Sequence, residues 1–141
     1  MVLRHLLDSL TVLPAVPALV DGTRLIDIGS GAGVPGLVLA IARPGLKVTT
    51  LDSAGKKARF MRHAIRTLGL ANADVFEGRA EDHAPAEPYD FIISRAFANL
   101  SDFVSVTEHL AGPDTRWLAM KAHVDDVERA SLPGGYVIES T

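Results

Sequence analysis

Short apolar runs alternate along this chain with glycine, proline and charged breaks, and run length separates strand from helix. Leu3, Leu6, Leu10 and Leu13 fall at helical spacing, which predicts an amphipathic N-terminal helix within 1–20 packed on a core; Pro14, Pro17 and Asp21-Gly22 mark the break after it. Arg24 to Ile28 reads as a buried strand. Pro35 stands where a first helical position would be, and Gly36 to Arg43 carries Leu37, Leu39, Ala40 and Ile41 before Pro44-Gly45 ends the helix. Lys47 to Leu51 is a second strand. Ser53 is placed to cap a helix that runs to Leu68, with Gly69 as terminator. Ala73 to Phe76 and Tyr89 to Ser94 read as strands three and four, Phe103 to Leu110 as a helix and Arg116 to Met120 as a fifth strand. Asp125 to Ala130 is a last short helix before Tyr136 to Ser140. This alternation predicts an α/β fold with a mostly parallel, Rossmann-like sheet and helices on both faces.

At 141 residues, 48% of them apolar, the chain has material for one domain, 1–141, with a single core. It has no cysteine, so disulfides, thiolate metal sites and a cysteine nucleophile are excluded. Arg4 and His5 ahead of a leucine-rich stretch mimic a secretion signal, but Asp8 and Ser9 interrupt it. No apolar stretch reaches the ~20 residues of a membrane span, so a cytoplasmic location is expected. The net charge is −3, which argues against a nucleic-acid binder globally, yet no acid occurs between Asp52 and Asp74 while Lys56, Lys57, Arg59, Arg62 and Arg66 do. Arg59, Arg62, His63 and Arg66 fall on one helical face opposite Met61, Ile65 and Leu68. That face either meets phosphates or is simply solvated.

Asp27-Ile-Gly29-Ser-Gly31-Ala-Gly33 follows a predicted strand and opens a predicted helix, the context of a nucleotide-binding glycine loop. Gly31-x-Gly33-x-x-Gly36 matches the dinucleotide pattern literally but begins two residues late; counted from Gly29, the third glycine of that register falls on Val34. S-adenosylmethionine has no pyrophosphate to seat on the helix, so a looser turn with an acid at the strand end, Asp27, suits it better. Asp52 ends the second strand, where a carboxylate can accept hydrogen bonds from both ribose hydroxyls. Either acid could instead only cap a strand or the following helix.

The stretches Leu25-Ile-Asp-Ile-Gly-Ser-Gly-Ala-Gly-Val-Pro-Gly36, Leu51-Asp-Ser-Ala-Gly-Lys-Lys-Ala-Arg-Phe60 and Ile93-Ser-Arg-Ala-Phe97 resemble the glucose-inhibited-division B family. Arg4-His-Leu-Leu-Asp-Ser9 resembles the segment before that family's first strand. Members methylate N7 of a guanosine in 16S ribosomal RNA. The resemblance implies S-adenosylmethionine as cofactor, with Asp27, Gly29, Gly31, Gly33, Val34 and Asp52 around it, Ala80 and Glu81 on the adenine side, and Arg95 where cofactor and target base meet. It implies ribosomal RNA or the small ribosomal subunit as partner; the basic residues Lys56, Arg59, Arg62 and Arg66, with Lys121, are the expected contacts to it, and neither metal nor membrane is expected. Bottom-up, Glu81 could equally be a surface acid beside Asp82, Arg95 an ordinary ion pair, and Phe97 a core aromatic rather than a base-stacking one. Two departures stand out: the chain is expected to be shortened at both ends relative to the family, and Ala122 follows Lys121 where the family more often has glycine.

N7 of guanine offers a free in-plane lone pair, so direct transfer from the sulfonium needs no general base, and Arg95 would position rather than move a proton. Three rivals remain: a small-molecule methyltransferase of the same fold, an NAD-dependent oxidoreductase, and a non-catalytic fragment. Glycine register and the lack of a convincing Tyr/Lys or His/Asp pair count against the second.

Overall fold

The computed structural model describes residues 20–31, 33, 35–95 and 99–119. The expected N-terminal helix, the last helix and the stretch from Tyr136 to Ser140 lie outside the described residues. Within them the order is β1 (Arg24–Ile28), α1 (Gly36–Ala42), β2 (Lys47–Asp52), α2 (Gly55–Leu68), β3 (Ala73–Glu77), a 3-10 turn (Ala80–Asp82), β4 (Tyr89–Ser94), α3 (Leu100–Thr107) continued by a second 3-10 turn (Glu108–Leu110), and β5 (Ala111–Ala119). The strands form one sheet in the order β3-β2-β1-β4-β5, and every pairing is parallel. The chain therefore winds outward from β1 in one direction to β3 and in the other to β5. The reversal between β1 and β4 opens a crevice at the carboxyl ends of the strands.

Side chains alternate across the sheet because the strand period is two. Leu25 of β1, with Phe91 and Ile93 of β4, packs on Leu37, Leu39 and Ala40 of α1 and Met61 of α2. Ile26 and Ile28, with Ile92, face Phe103 of α3 and Leu110 instead. Both faces are buried, which is why these strands read as mostly apolar runs rather than as apolar and polar residues in alternation, with Asp27 a buried exception.

Four sequence expectations change. Ser53 does not cap α2: the cap position is Ala54, with no side-chain bond, and Asp52 takes over by accepting the Ala54 N–H at 2.9 Å. Leu68, expected on the apolar side of α2, is 56% exposed. The helix ends there in a Schellman turn: Gly69 adopts φ 64°, its N–H reaches the Arg66 carbonyl, and the Leu70 N–H reaches Ile65, so Leu70 packs on the core in place of Leu68. α3 begins at Leu100 rather than Phe103, because the Asn99 side chain accepts from the Asp102 N–H at 2.9 Å. β5 begins at Ala111 rather than Arg116. Gly112, Pro113 and Asp114 form an irregularity inside the strand, where the register jumps from Tyr89↔Ala111 to Phe91↔Arg116. Thr115 bridges it, accepting from the Gly112 N–H at 2.8 Å and donating to the Tyr89 carbonyl at 2.5 Å.

Candidate functional site

The loop that leaves β1 is stitched to β2. Gly29 and Ser30 both donate backbone N–H groups to the Leu51 carbonyl, at 2.7 and 3.1 Å, and the Ser30 hydroxyl donates to the Asp27 carbonyl at 3.0 Å. Gly29, Gly31 and Gly33 take φ of 70°, 60° and 86°, a left-handed backbone that only glycine adopts without strain, so the chain turns back three times within five residues. Asp52 anchors the far side: one carboxylate oxygen accepts from the Gly31 N–H at 2.9 Å, the other from Ala54. The acid at the end of β2 thus joins the glycine turn to the start of α2.

Asp27 lies beneath this turn, 1% exposed. Its Oδ2 accepts from the Gly36 N–H at 2.7 Å at the start of α1. A Cβ on Gly36 would come within 2.9 Å of that oxygen and of Thr50 Cγ2, so this glycine is required by what it packs on. Burial pushes the Asp27 carboxyl up to about 7, against the opposing pull of the Gly36 and Ser30 bonds and of the Arg95 charge. Asp27 supports the loop from below and does not line the crevice.

That crevice, about 320 Å³, is lined by Ile28 and Gly29 after β1, Leu51, Asp52 and Ser53 after β2, Gly78 to Glu81 after β3, and Val106 of α3. Four residues singled out from the sequence therefore converge on it: Gly29, Asp52, Ala80 and Glu81. Gly31 and Gly33 shape the turn without lining the hollow. Arg95 follows β4, half-buried, and its charge favours the ionised form of Asp27. Val34, Phe97 and Lys121 lie outside the described residues. Sequence reasoning missed Gly78, Arg79 and Val106. Gly78 carried a readable signal, a glycine directly after a strand as at Gly29; Val106 carried none, because only the crossing of α3 over the sheet brings it there.

The basic residues of α2 are exposed, but not equally available. Arg62 Nη1 meets Glu77 Oε1 at 3.1 Å, and a Cβ on Gly55 would stand 3.4 Å from Arg59 Nη1 and 3.7 Å from Glu77 Oε2. The acid-free stretch in sequence is met in space by an acid from β3. Lys57 leans the other way, its Cδ 4.0 Å from a Cβ placed on Gly31.

A second hollow, about 490 Å³, opens between Thr23, Asp90 and Arg116 at the opposite ends of the strands. Its Asp21-Gly22 turn has one left-handed glycine, Gly22 at φ 87°, and it lies at the amino ends of the strands, away from the loops that follow β1, β2 and β3. Among the described residues no three His, Asp or Glu side chains are placed to hold a metal ion, and no helix is long and apolar enough to cross a membrane.

A parallel sheet in this order, with a glycine turn after β1 and an acid at the end of β2, is a Rossmann-like nucleotide-binding fold, and its likeness to solved methyltransferases places it with the Rossmann-like methyltransferase sheets. A methyltransferase from Thiobacillus denitrificans, in complex with S-adenosyl-L-homocysteine, matches at TM-score 0.66 and 20% identity over 79% of this chain and 47% of that one. Coclaurine N-methyltransferase matches at 0.66 and 19% over 79% and 35%. At such identity these likenesses establish the fold alone. The model of the family described as rRNA small subunit methyltransferase G matches residues 1–139, and the chain belongs to that family. It is 49% identical over 140 residues to ribosomal RNA small subunit methyltransferase G of Pseudomonas syringae pv. syringae, covering 99% of this chain and 64% of that protein. The protein of the same name from Methylobacillus flagellatus is 52% identical over 132 residues, 94% of this chain and 62% of that one. The chain thus spans about 64% of the length of such relatives.

Proposed function

We propose that this chain binds S-adenosylmethionine in the crevice after β1, β2 and β3 and transfers its methyl group to N7 of a guanosine in 16S ribosomal RNA. The observation that carries the reading is the junction of the glycine turn with Asp52. Three left-handed glycines leave backbone bare beside a carboxylate that faces the crevice, the arrangement a ribose-bearing ligand needs. Both Asp52 oxygens already accept one backbone N–H each, and a carboxylate offers about four acceptor sites, so capacity remains for two hydroxyls. Ala80 and Glu81 form the opposite wall, suited to the adenine side. Asp27 holds the turn from beneath, and Arg95 bears on the same support.

The transfer is a direct displacement at the sulfonium, with the N7 lone pair as nucleophile, so the protein's part is to position and desolvate. The RNA reading rests on family membership and on the exposed cations of α2, with Lys57 beside the glycine turn. N7 faces the deep, narrow major groove in A-form RNA, so the target guanosine must be unpaired or splayed out. Calorimetry with S-adenosylmethionine, S-adenosylhomocysteine and NAD tests the cofactor: the first two should bind and the third should not. Binding of NAD alone would overturn the reading. Methyl transfer to 16S rRNA carrying 7-deazaguanosine in place of guanosine should be lost, since N7 is the acceptor atom.

A further inference from the structure

Two walls of the crevice belong to different parts of the chain. One wall is Ala80 and Glu81 of the 3-10 turn that follows β3; another is α3, from which Val106 enters the crevice. The 3-10 turn closes through the Asp82 N–H on Arg79 and the His83 N–H on Ala80, and its Ala80 methyl packs in the core with Phe103 and Leu110, a contact without direction that leaves the orientation of the turn to its hydrogen bonds. The α3 wall is fixed at its end, where Thr107 Oγ1 donates to the Phe103 carbonyl at 2.6 Å and accepts from Trp117 Nε1 of β5 at 2.9 Å. Two residues beyond Thr107, His109 Nε2 lies 2.9 Å from the Ala80 carbonyl oxygen. A carbonyl only accepts, so this imidazole nitrogen carries the proton and donates it. His109 thereby adds a directional bond between the turn after β3 and the end of α3.

We propose that His109 is a positioning residue of the cofactor crevice, holding Ala80 and Glu81 at the distance from Val106 that the adenine ring fills. This rests on the cofactor reading above. His109 does not line the crevice, so its effect passes through the Ala80 backbone and should fall on the ring of the ligand rather than on its ribose or amino-acid parts.

Calorimetry on the full chain with two probes separates these parts: S-adenosylhomocysteine, and S-ribosylhomocysteine, which keeps the sugar and the amino acid but has no ring. His109→Ala should weaken S-adenosylhomocysteine about tenfold, the scale of one lost hydrogen bond, and leave S-ribosylhomocysteine unchanged. His109→Gln, whose amide N–H can reach the same carbonyl, should restore affinity to within about threefold. Equal weakening of both probes would mean general loosening of the fold and would overturn the proposal, as would unchanged binding of both or failure of the Gln variant to rescue. If the unaltered protein binds neither probe, the cofactor reading itself falls and takes this one with it.

Discussion

Asp27 and Asp52 differ in sequence only by place, yet tertiary contacts set them to different tasks. Asp52 sits at the crevice, and Asp52→Ala should weaken S-adenosylmethionine by about 1–3 kcal/mol, the scale of hydrogen bonds lost to a charged acceptor, while also freeing Gly31. Unchanged affinity in a folded variant would remove Asp52 from the site. Asp27 is buried with its carboxyl raised from 3.8 to about 7, so the folded protein holds a proton there that the unfolded chain releases between those values. Its contribution to stability is therefore full below about pH 4 and is lost as pH rises through 7, with a slope of at most about 1.4 kcal/mol per pH unit. Urea unfolding from pH 5 to 8 should show that loss, and Asp27→Asn should remove its part of the slope. An identical pH profile in the variant would show that Asp27 is ionised throughout.

At the scale of elements, the informative residues are those that join one element to another. Asn99 caps α3 through the Asp102 N–H and also donates Nδ2–H to Asp102 Oδ2 at 3.0 Å; Asn99→Ala should cost about 1 kcal/mol in chemical unfolding. His83 lies against the Phe76 ring, centroids 4.4 Å apart, and bonds Tyr89 Oη at 2.8 Å. Burial, then the nearby His109 and Arg24, lower its pKa from the usual 6.5. The folded state thus takes up this proton less readily than the unfolded chain, and the contribution present above pH 6.5 is lost as pH falls, opposite in sign to Asp27. An NMR titration placing His83 at or above 6.5 would contradict this. On α2, Arg62 is paired with Glu77 while Arg66 has no ion pair among the described residues. For a half-exposed pair the stability gain is at most about 1 kcal/mol. The consequence for RNA is larger: Arg66→Gln should reduce the slope of log K against log salt by roughly one, and Arg62→Gln by less. Equal slopes for all three proteins would return α2 to a solvated face.

For the whole molecule, the arrangement bears on how the proposed reaction responds to pH. Glu81 lines the crevice, but Asp82 and His83 do not, and the His83 ring is directed toward Tyr89. With no base needed at N7 and no imidazole presented to the crevice among the described residues, the single-turnover methyl-transfer rate at saturating cofactor and RNA should be nearly flat from about pH 6 to 8.5. A tenfold rise per pH unit, abolished by Glu81→Gln, would mean that a base acts and that the acceptor is not N7. Single-turnover measurement matters because product release can mask chemistry in steady state.

Periodicity alone determined the sheet's alternation with helices and the limits of β1 and β4, because strands buried on both faces are short, mostly apolar runs bounded by breaks, as at Arg24–Ile28 and Tyr89–Ser94. The glycines after β1 and the acid after β2 were equally legible, since their chemistry is local to a turn and a strand end. Tertiary structure decided whatever depends on a partner distant in sequence. Gly36 must be glycine because Asp27 and Thr50 lie against it; Glu77 from β3 claims Arg62; Leu70 displaces Leu68 from the core; and a strand runs through Gly112 to Asp114 because Thr115 bonds to Tyr89. The crevice wall closed by His109 belongs with these: the histidine and the carbonyl it holds are 29 residues apart, and only the packing of α3 against the turn after β3 makes them neighbours.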